Sequence, residues 1–178
     1  MRGMGSVRFC DLVLADLRAN TGRTRLLGAV PAFVFHPGFA TVFLHRIATA
    51  LVGTPWDKLG ALIWGWNTRR SGCHLHLESQ IGAGLSLPHP VAVVIGQGVR
   101  IGGDATIYQS VTVGRSGPDE HPVIGDGATL YPGAVIFGAI TVGAGARVGA
   151  GAVLFADVPD GATAAGNPAR IVRATSAP

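Results

Sequence analysis

The chain has 178 residues, which is enough for one domain or for one domain with a small helical appendage. It is 48% hydrophobic and only 13% charged, which excludes an intrinsically disordered chain. The net charge is +4, and 13 of the 14 basic residues are arginines, a pattern that excludes a lysine-rich nucleic-acid arm and suits scattered phosphate contacts. Cys10 and Cys73 form neither a CxxC motif nor a disulphide framework, which favours a reducing, cytoplasmic location.

The first part of the chain, residues 1–71, is predicted to be helical. The apolar spacing predicts helices over residues 7–19, 38–51 and 54–70. Residues 26–44 contain no Asp, Glu, Lys or Arg, but prolines interrupt the stretch. We therefore expect two short buried helices there rather than a membrane span, and no membrane association. The first eight residues show no secretory signal peptide.

The second part, residues 72–178, is periodic in steps of six. The same step relates three groups of apolar residues, and the residue four positions after each of them is usually small or apolar. The groups are Leu75, Ile81, Leu87 and Val93; Ile95, Ile101, Ile107 and Val113; and Ile124, Leu130, Ile136, Val142, Val148 and Leu154. This period predicts a parallel β-helix of hexapeptide repeats, in which three hexapeptides make one triangular coil, giving four to five coils.

The repeat is interrupted twice. A shift of two residues separates Val93 from Ile95, and five extra residues between Val113 and Ile124 predict a loop over residues 114–123. Such insertions lie on one face of a solenoid and often carry its function.

Four motifs in this part resemble the serine O-acetyltransferase family. They are GLSLPHPVAVVIG (residues 84–96), TIYQSVTVG (106–114), HPVIGDG (121–127) and AAGNPARIV (164–172). The resemblance implies the left-handed β-helix of these acyltransferases, acetyl-CoA as cosubstrate, no permanently bound cofactor and no metal. It also implies a homotrimer, because the coenzyme A groove of the family lies between two subunits. The chain is short, closer in size to small relatives that acetylate sugars and polysaccharides.

Transfer of an acetyl group to an alcohol requires a base, and histidine suits this role at neutral pH. The resemblance makes His89 the catalytic base and His121 the second active-site histidine. Gly114 is a candidate backbone donor to the oxyanion. For coenzyme A the resemblance implies Pro132 and Gly133, Ala150 and Gly151, and Pro168 and Arg170, and the phosphates have candidate partners in Arg147, Arg170 and Arg173.

Charged groups that the family uses to bind free serine are replaced in this chain. Pro88 stands where the family has an aspartate before the first histidine, and Glu120 stands where it has an arginine before the second. His74 stands where the family has an acidic residue that orients the catalytic base. The family also has an acid from the N-terminal helices near the substrate amine, whereas this chain has none between Asp16 and Asp57. A desolvated zwitterion requires partners for both charges. We therefore expect a neutral hydroxyl acceptor, a sugar or polysaccharide precursor.

Three other readings stay open. The first is serine acetylation with substitute residues, and the second is a non-catalytic β-helix assembly module. The third is a carbonic-anhydrase-type β-helix, which needs three zinc histidines across subunits. The His74-Leu75-His76 motif places two imidazoles on one strand face, but no third ligand is nearby in sequence, so we interpret the motif as a solvent-side or interface pair.

Overall fold

The computed structural model describes residues 8–173 and contains a helical region followed by a β-solenoid. The helices are α1 (Phe9–Thr21), α2 (Ala29–Phe35), α3 (Pro37–Leu51) and α4 (Asp57–Ser71), and a 3-10 turn (Leu26–Gly28) precedes α2. The three predicted helices are present, with ends shifted by up to three residues. Three predicted features lie partly outside the described residues. The first helix was predicted to begin at Val7, the segment predicted to lack a signal peptide includes residues 1–7, and the predicted β-helix region extends over residues 174–178.

The prediction of two buried helices over residues 26–44 is correct for α3 and wrong for α2. Helix α3 is buried over most of its length, whereas α2 buries only Ala32 and exposes Val30, Val34 and Phe35. The reason is that α2 is two turns long and packs on its neighbours with one narrow face. Within residues 8–173 no single helix is long and apolar enough to cross a membrane.

The solenoid consists of three sheets of short parallel strands. Sheet I contains β1 (His74–Leu75), β3 (Val94–Ile95), β6 (Thr112–Gly114), β9 (Val135–Phe137) and β12 (Val153–Leu154). Sheet II contains β2 (Gln80–Ile81), β4 (Arg100–Ile101), β7 (Val123–Ile124) and β10 (Thr141–Val142). Sheet III contains β5 (Thr106–Ile107), β8 (Thr129–Leu130), β11 (Arg147–Val148), β13 (Thr163–Gly166) and β14 (Ala169–Arg173). The predicted β-helix is confirmed, and it makes about five coils.

The six-residue repeat places one apolar side chain of each strand inside the prism. Leu75 pairs with Ile95, which pairs with Val113, and the register continues through the later coils. The small residues predicted four positions later are buried as well, Ala105 and Ala128 among them. These positions are small because each faces the crowded interior beside a corner.

The assignment of Val93 to the main inward position is wrong. Val93 is buried, but it occupies the small inner position, and Ile95 pairs with Leu75. Eight residues therefore separate Leu87 from Ile95 where six would continue the repeat. The two extra residues lie in the corner around Pro88 and shift the register after it.

The C-terminal segment, predicted only as a tail, forms a hairpin. Strand β14 pairs antiparallel with β13, and the peptide bond between Asn167 and Pro168 in the connecting turn is cis. This pairing covers the last edge of sheet III, which would otherwise expose unpaired backbone groups.

A buried ion pair joins the helices to the first coil. The Nε of Arg46 on α3 lies 2.9 Å from the Asp16 carboxylate on α1, and both side chains are almost fully buried. The backbone N–H groups of Gly84 and Leu85 donate to the same carboxylate at 2.9 and 3.1 Å. Arg46 in turn donates to the carbonyl of Gly82. The pair therefore fixes the helices beside the coil that leads to His89.

Candidate active site at the corners of the solenoid

The chain turns at three corners as it passes from sheet I to II, from II to III and from III back to I. The III–I corner is formed by residues 88–92, 108–111, 131–134 and 149–152. The I–II corner includes the loop over residues 115–122. The predicted catalytic residues and four of the predicted coenzyme A residues fall on these two corners. Arg147 and Arg173 do not, because Arg147 is the first residue of β11 and Arg173 pairs with Thr163, the first residue of β13, so both lie at the II–III end of sheet III.

His89 lies at the III–I corner of the first coil, between Pro88 and Pro90. Its side chain is exposed, and its ring centroid is 6.3 Å from that of Tyr108 on the next coil. Tyr108 stacks on Tyr131 of the following coil, with centroids 5.5 Å apart and planes 10° from parallel. Three rings of successive coils therefore form a column that begins at the predicted base. The two tyrosines were not among the predicted site residues, although one 18-residue coil plus the five extra residues separates them in sequence.

Four of the predicted coenzyme A residues lie on this same corner. The N–H of Gly133 donates to the carbonyl of Gln109 at 3.1 Å, and the N–H of Gly151 donates to the carbonyl of Pro132 at 2.9 Å. Ala150 and Gly151 are exposed, and a side chain added at Gly151 would meet nothing within 4 Å. The corner therefore leaves open space beside its backbone, where an extended ligand has access to it.

The hairpin turn continues this corner at the C-terminal end. A Cβ added to Gly149 would lie 3.1 Å from Ala165 of β13, so the turn that contains Pro168 lies next to the corner. Arg170 is exposed, and within residues 8–173 the one hydrogen bond of its side chain goes to the carbonyl of Ala169, at 3.2 Å. Four strand spacings separate this turn from the coil of His89, which makes the corner roughly 19 Å long. Arg147 and Arg173 are exposed as well, but they lie at the opposite end of the sheet III strands and not on this corner.

His121 and Gly114 lie at the other corner, between sheets I and II. The His121 ring sits over Gly98, where a Cβ would come within 2.5 Å of it. Its Nδ1 is buried and has no hydrogen-bond partner among residues 8–173. Gly114 ends β6, and a Cβ there would lie 2.8 Å from the ring of Phe137. One chain therefore does not bring His121 or Gly114 to the corner of His89.

In the loop before His121, a carboxylate accepts a hydrogen bond from a hydroxyl group of the same loop. The Ser116 hydroxyl donates to Glu120, and both side chains are exposed. Ser116 also lies close to Gly138, so the loop packs back on the next coil of the same corner. A negative charge therefore stands beside His121 where the family resemblance implies a positive one.

A cavity of about 340 Å³ opens next to His89, between α3, the end of α4 and the III–I corner. Its lining includes Thr41 and Arg70 from the helices. Sequence reasoning missed Arg70, because no motif links the end of α4 to a residue 19 positions further along the chain. Another cavity, of about 760 Å³, lies along sheet II and the II–III corner, and neither predicted catalytic histidine lines it.

The histidine pair of the first coil packs against the helical region of the same chain. Both rings contact Trp64 of α4 edge-on, with centroids 5.3 Å away for His74 and 6.4 Å away for His76. Behind them, burial lowers the pKa of His45 to about 3, with further lowering from the positive charges of Arg46 and His76. His45 is therefore neutral at physiological pH.

No group of three or more His, Cys, Asp or Glu side chains within residues 8–173 is arranged to hold a metal ion. Burial raises the pKa of the Cys73 thiol, which lies inside the solenoid. Cys73 is therefore a core residue rather than a nucleophile.

Relatives of known name resemble the chain over most of its length, although no protein-family model matches it. The serine acetyltransferase of Bacillus subtilis is 38% identical over 140 residues, covering 77% of this chain and 64% of the relative. The mitochondrial serine acetyltransferase 3 of Arabidopsis thaliana is 38% identical over 172 residues, covering 94% of this chain and 44% of the relative. The serine acetyltransferase of Helicobacter pylori is 34% identical over 142 residues, covering 78% of this chain and 83% of the relative. The chain thus spans less than two thirds of the Bacillus and Arabidopsis relatives.

Solved structures show the same likeness. The soybean serine acetyltransferase apoenzyme has a TM-score of 0.83 and 35% identity, with 92% of this chain and 69% of that one covered. A serine acetyltransferase in complex with CoA has a TM-score of 0.79 and 31% identity, with the same coverage. The likeness therefore includes the helices as well as the solenoid.

Proposed function

This chain belongs to the serine acetyltransferase family, and from that membership we propose that it transfers the acetyl group of acetyl-CoA to the hydroxyl of L-serine. The observation that carries the proposal is the III–I corner, where His89 begins a column that continues along the predicted coenzyme A residues. The reported relatives are all named for serine, and none of those names supports the sugar or polysaccharide acceptor expected from the sequence.

The proposed reaction is a direct transfer. His89 accepts the hydroxyl proton while the serine oxygen attacks the thioester carbonyl. A tetrahedral intermediate forms, and a backbone N–H, with Gly114 as the candidate, stabilises its oxyanion. The carbon–sulphur bond then breaks, and the proton returns to the departing sulphur. The products are O-acetylserine and free coenzyme A, so atoms and charge balance.

The separation of the two histidines supports a site between subunits. His89 lies on the III–I corner and His121 on the I–II corner, so a site that uses both requires a second copy of the chain. We propose a homotrimer in which one subunit supplies His89 and the neighbouring subunit supplies His121 and Gly114. Coenzyme A would lie along Pro132, Gly133, Ala150 and Gly151.

One observation favours a second candidate acceptor, a neutral alcohol such as a sugar. Glu120, next to His121, carries a negative charge and is held by Ser116. At this position it would repel the carboxylate of an amino acid. Serine stays the first candidate because the relatives of the chain carry that name.

Acetyl transfer can be followed as release of the coenzyme A thiol, with L-serine, D-glucose and buffer as parallel acceptors. We expect L-serine to give the fastest release and mass spectrometry to identify O-acetylserine. Faster release with glucose would replace serine by the second candidate. Release no faster than in buffer, with either acceptor, would favour the non-catalytic assembly module.

A further inference from the structure

We propose that Arg70 binds the carboxylate of the acceptor in the cavity beside His89, and so determines specificity for an amino acid. This inference rests on the proposed function and deepens it. The family resemblance implies an arginine before the second histidine for this purpose, and Glu120 stands there instead. Arg70 would supply the missing positive charge from a different element, the last turn of α4.

The first observation is that one cavity is lined by both the proposed carboxylate-binding residue and the predicted base. Arg70 and His89 border the same cavity of about 340 Å³, together with the hydroxyl-bearing residues Thr41 and Ser71. This volume lies at the lower end of the range for small-molecule sites. An acceptor held there would have its carboxylate at the helix side and its hydroxyl towards the imidazole.

The second observation is how the guanidinium is held. Its Nη2 donates to Thr41 Oγ1 at 3.2 Å and to Asn67 Oδ1 at 3.1 Å, and its central carbon lies 5.6 Å from the ring centroid of Trp66. Both side-chain hydrogen bonds use the same nitrogen. Within residues 8–173, Nε and Nη1 have no hydrogen-bond partner, and no carboxylate lies within ion-pair distance of Arg70. The side chain is therefore positioned in advance, with donors left for a ligand.

The third observation is the charge of the cavity. Its lining contains no Asp or Glu, and Arg70 is its one residue with a permanent charge among the described residues. Arg70 is exposed, as are Pro88 and Val91 at the corner, so the cavity is open to solvent on this side. A cation favours an anionic group over a neutral one because its hydrogen bonds to an anion are charge-assisted, and solvent screening at this exposed side chain reduces that preference without removing it.

The neighbouring arginine provides a matched control. Arg69 has the same charge and is exposed as well, but its guanidinium lies along the preceding turn, where a Cβ added to Gly65 would be 3.7 Å from it. Arg69 does not line the cavity of His89. The two positions therefore differ in placement and not in chemistry.

The test compares Arg70→Gln, Arg70→Lys and Arg69→Gln in the full-length protein, with L-serine and L-serinamide as acceptors. L-serinamide keeps the hydroxyl and the amine but lacks the carboxylate. We expect Arg70→Gln to raise KM for L-serine by roughly 10- to 100-fold. It should leave KM for L-serinamide and kcat nearly unchanged. Arg70→Lys should restore part of the loss, and Arg69→Gln should behave as the wild type.

An unchanged KM for L-serine in Arg70→Gln, or an equal loss with both acceptors, would overturn the inference. Calorimetric titration with L-serine provides a reading that does not depend on turnover. If the wild type binds L-serine without acetylating it, and Arg70→Gln removes the binding, the proposed function fails and the inference stands. If L-serine turns over and Arg70→Gln is indistinguishable from wild type, only the inference fails. If the wild type neither binds nor acetylates L-serine, both fail.

Discussion

Replacement of Asp16 by asparagine tests whether a single buried charge pair fixes the helices to the solenoid. The Asp16→Asn change keeps the size of the side chain and an oxygen for the N–H groups of Gly84 and Leu85, which now lie 2.9 and 3.1 Å from the carboxylate. It removes the negative charge, and it replaces Oδ2, which accepts from Arg46 Nε at 2.9 Å, by an amide nitrogen that can only donate. The Arg46 guanidinium, 6% exposed, is then left in the interior without its counter-ion.

The expected cost follows from that uncompensated charge. Removing one partner of a buried ion pair typically destabilises a protein by about 3–5 kcal/mol. Asp16 is 1% exposed, so solvent screening does little to reduce this figure. For a urea m-value near 2 kcal/mol/M, the midpoint of unfolding should fall by roughly 1.5–2.5 M. The double variant Asp16→Asn/Arg46→Met should lose less than the two single variants together, because it leaves no orphan charge.

Urea unfolding followed by circular dichroism measures the effect, with all variants at one protein concentration because assembly contributes to stability. Asp11→Asn is the matched control, since Asp11 is an exposed acid on the same helix. Its effect should stay within about 0.5 kcal/mol. A fall in the Asp16→Asn midpoint no larger than that of the control, at unchanged m-value, would refute the argument that this pair holds the helices.

Three further predictions concern histidines. His89→Gln should lower kcat by roughly a hundredfold or more with little change in acetyl-CoA binding, and near-normal turnover would remove His89 from the mechanism. Gly98→Ala should displace the His121 ring and lower turnover by roughly ten- to a hundredfold. Gly127→Ala is the control, because Gly127 also has a positive φ but a Cβ there would meet nothing within 4 Å, so its turnover should stay near normal. Equal losses in the two variants would contradict the steric argument. Because the pKa of His45 is about 3 in the folded chain and near 6.5 when unfolded, the unfolded chain binds the extra proton below pH 6.5. Unfolding free energy should then fall by about 1.4 kcal/mol per pH unit from pH 6.5 towards 3, and a similar slope in His45→Gln would exclude His45 as its source.

The sequence by itself determined the solenoid and the place of His89 in it. In a hexapeptide repeat, the conformation of each strand and corner depends mainly on its own six residues. The six-residue spacing therefore predicts which side chains face inward. The break in that count identified the corner of Pro88 and His89, although the same count placed Val93 in the wrong inner position. The loop before His121 was recognisable for the same reason.

Only the tertiary structure decided what surrounds those residues. Asp16 binds N–H groups 68 and 69 residues away, and Arg70 lines one cavity with His89 because of the angle at which α4 packs on the first coil. No local pattern encodes such an angle, because it depends on the fit of distant surfaces. The division of His89 and His121 between two corners likewise follows from where each insertion falls in the three-sided coil. Local repetition therefore fixed the scaffold, whereas packing across long sequence separations fixed the charges around the site.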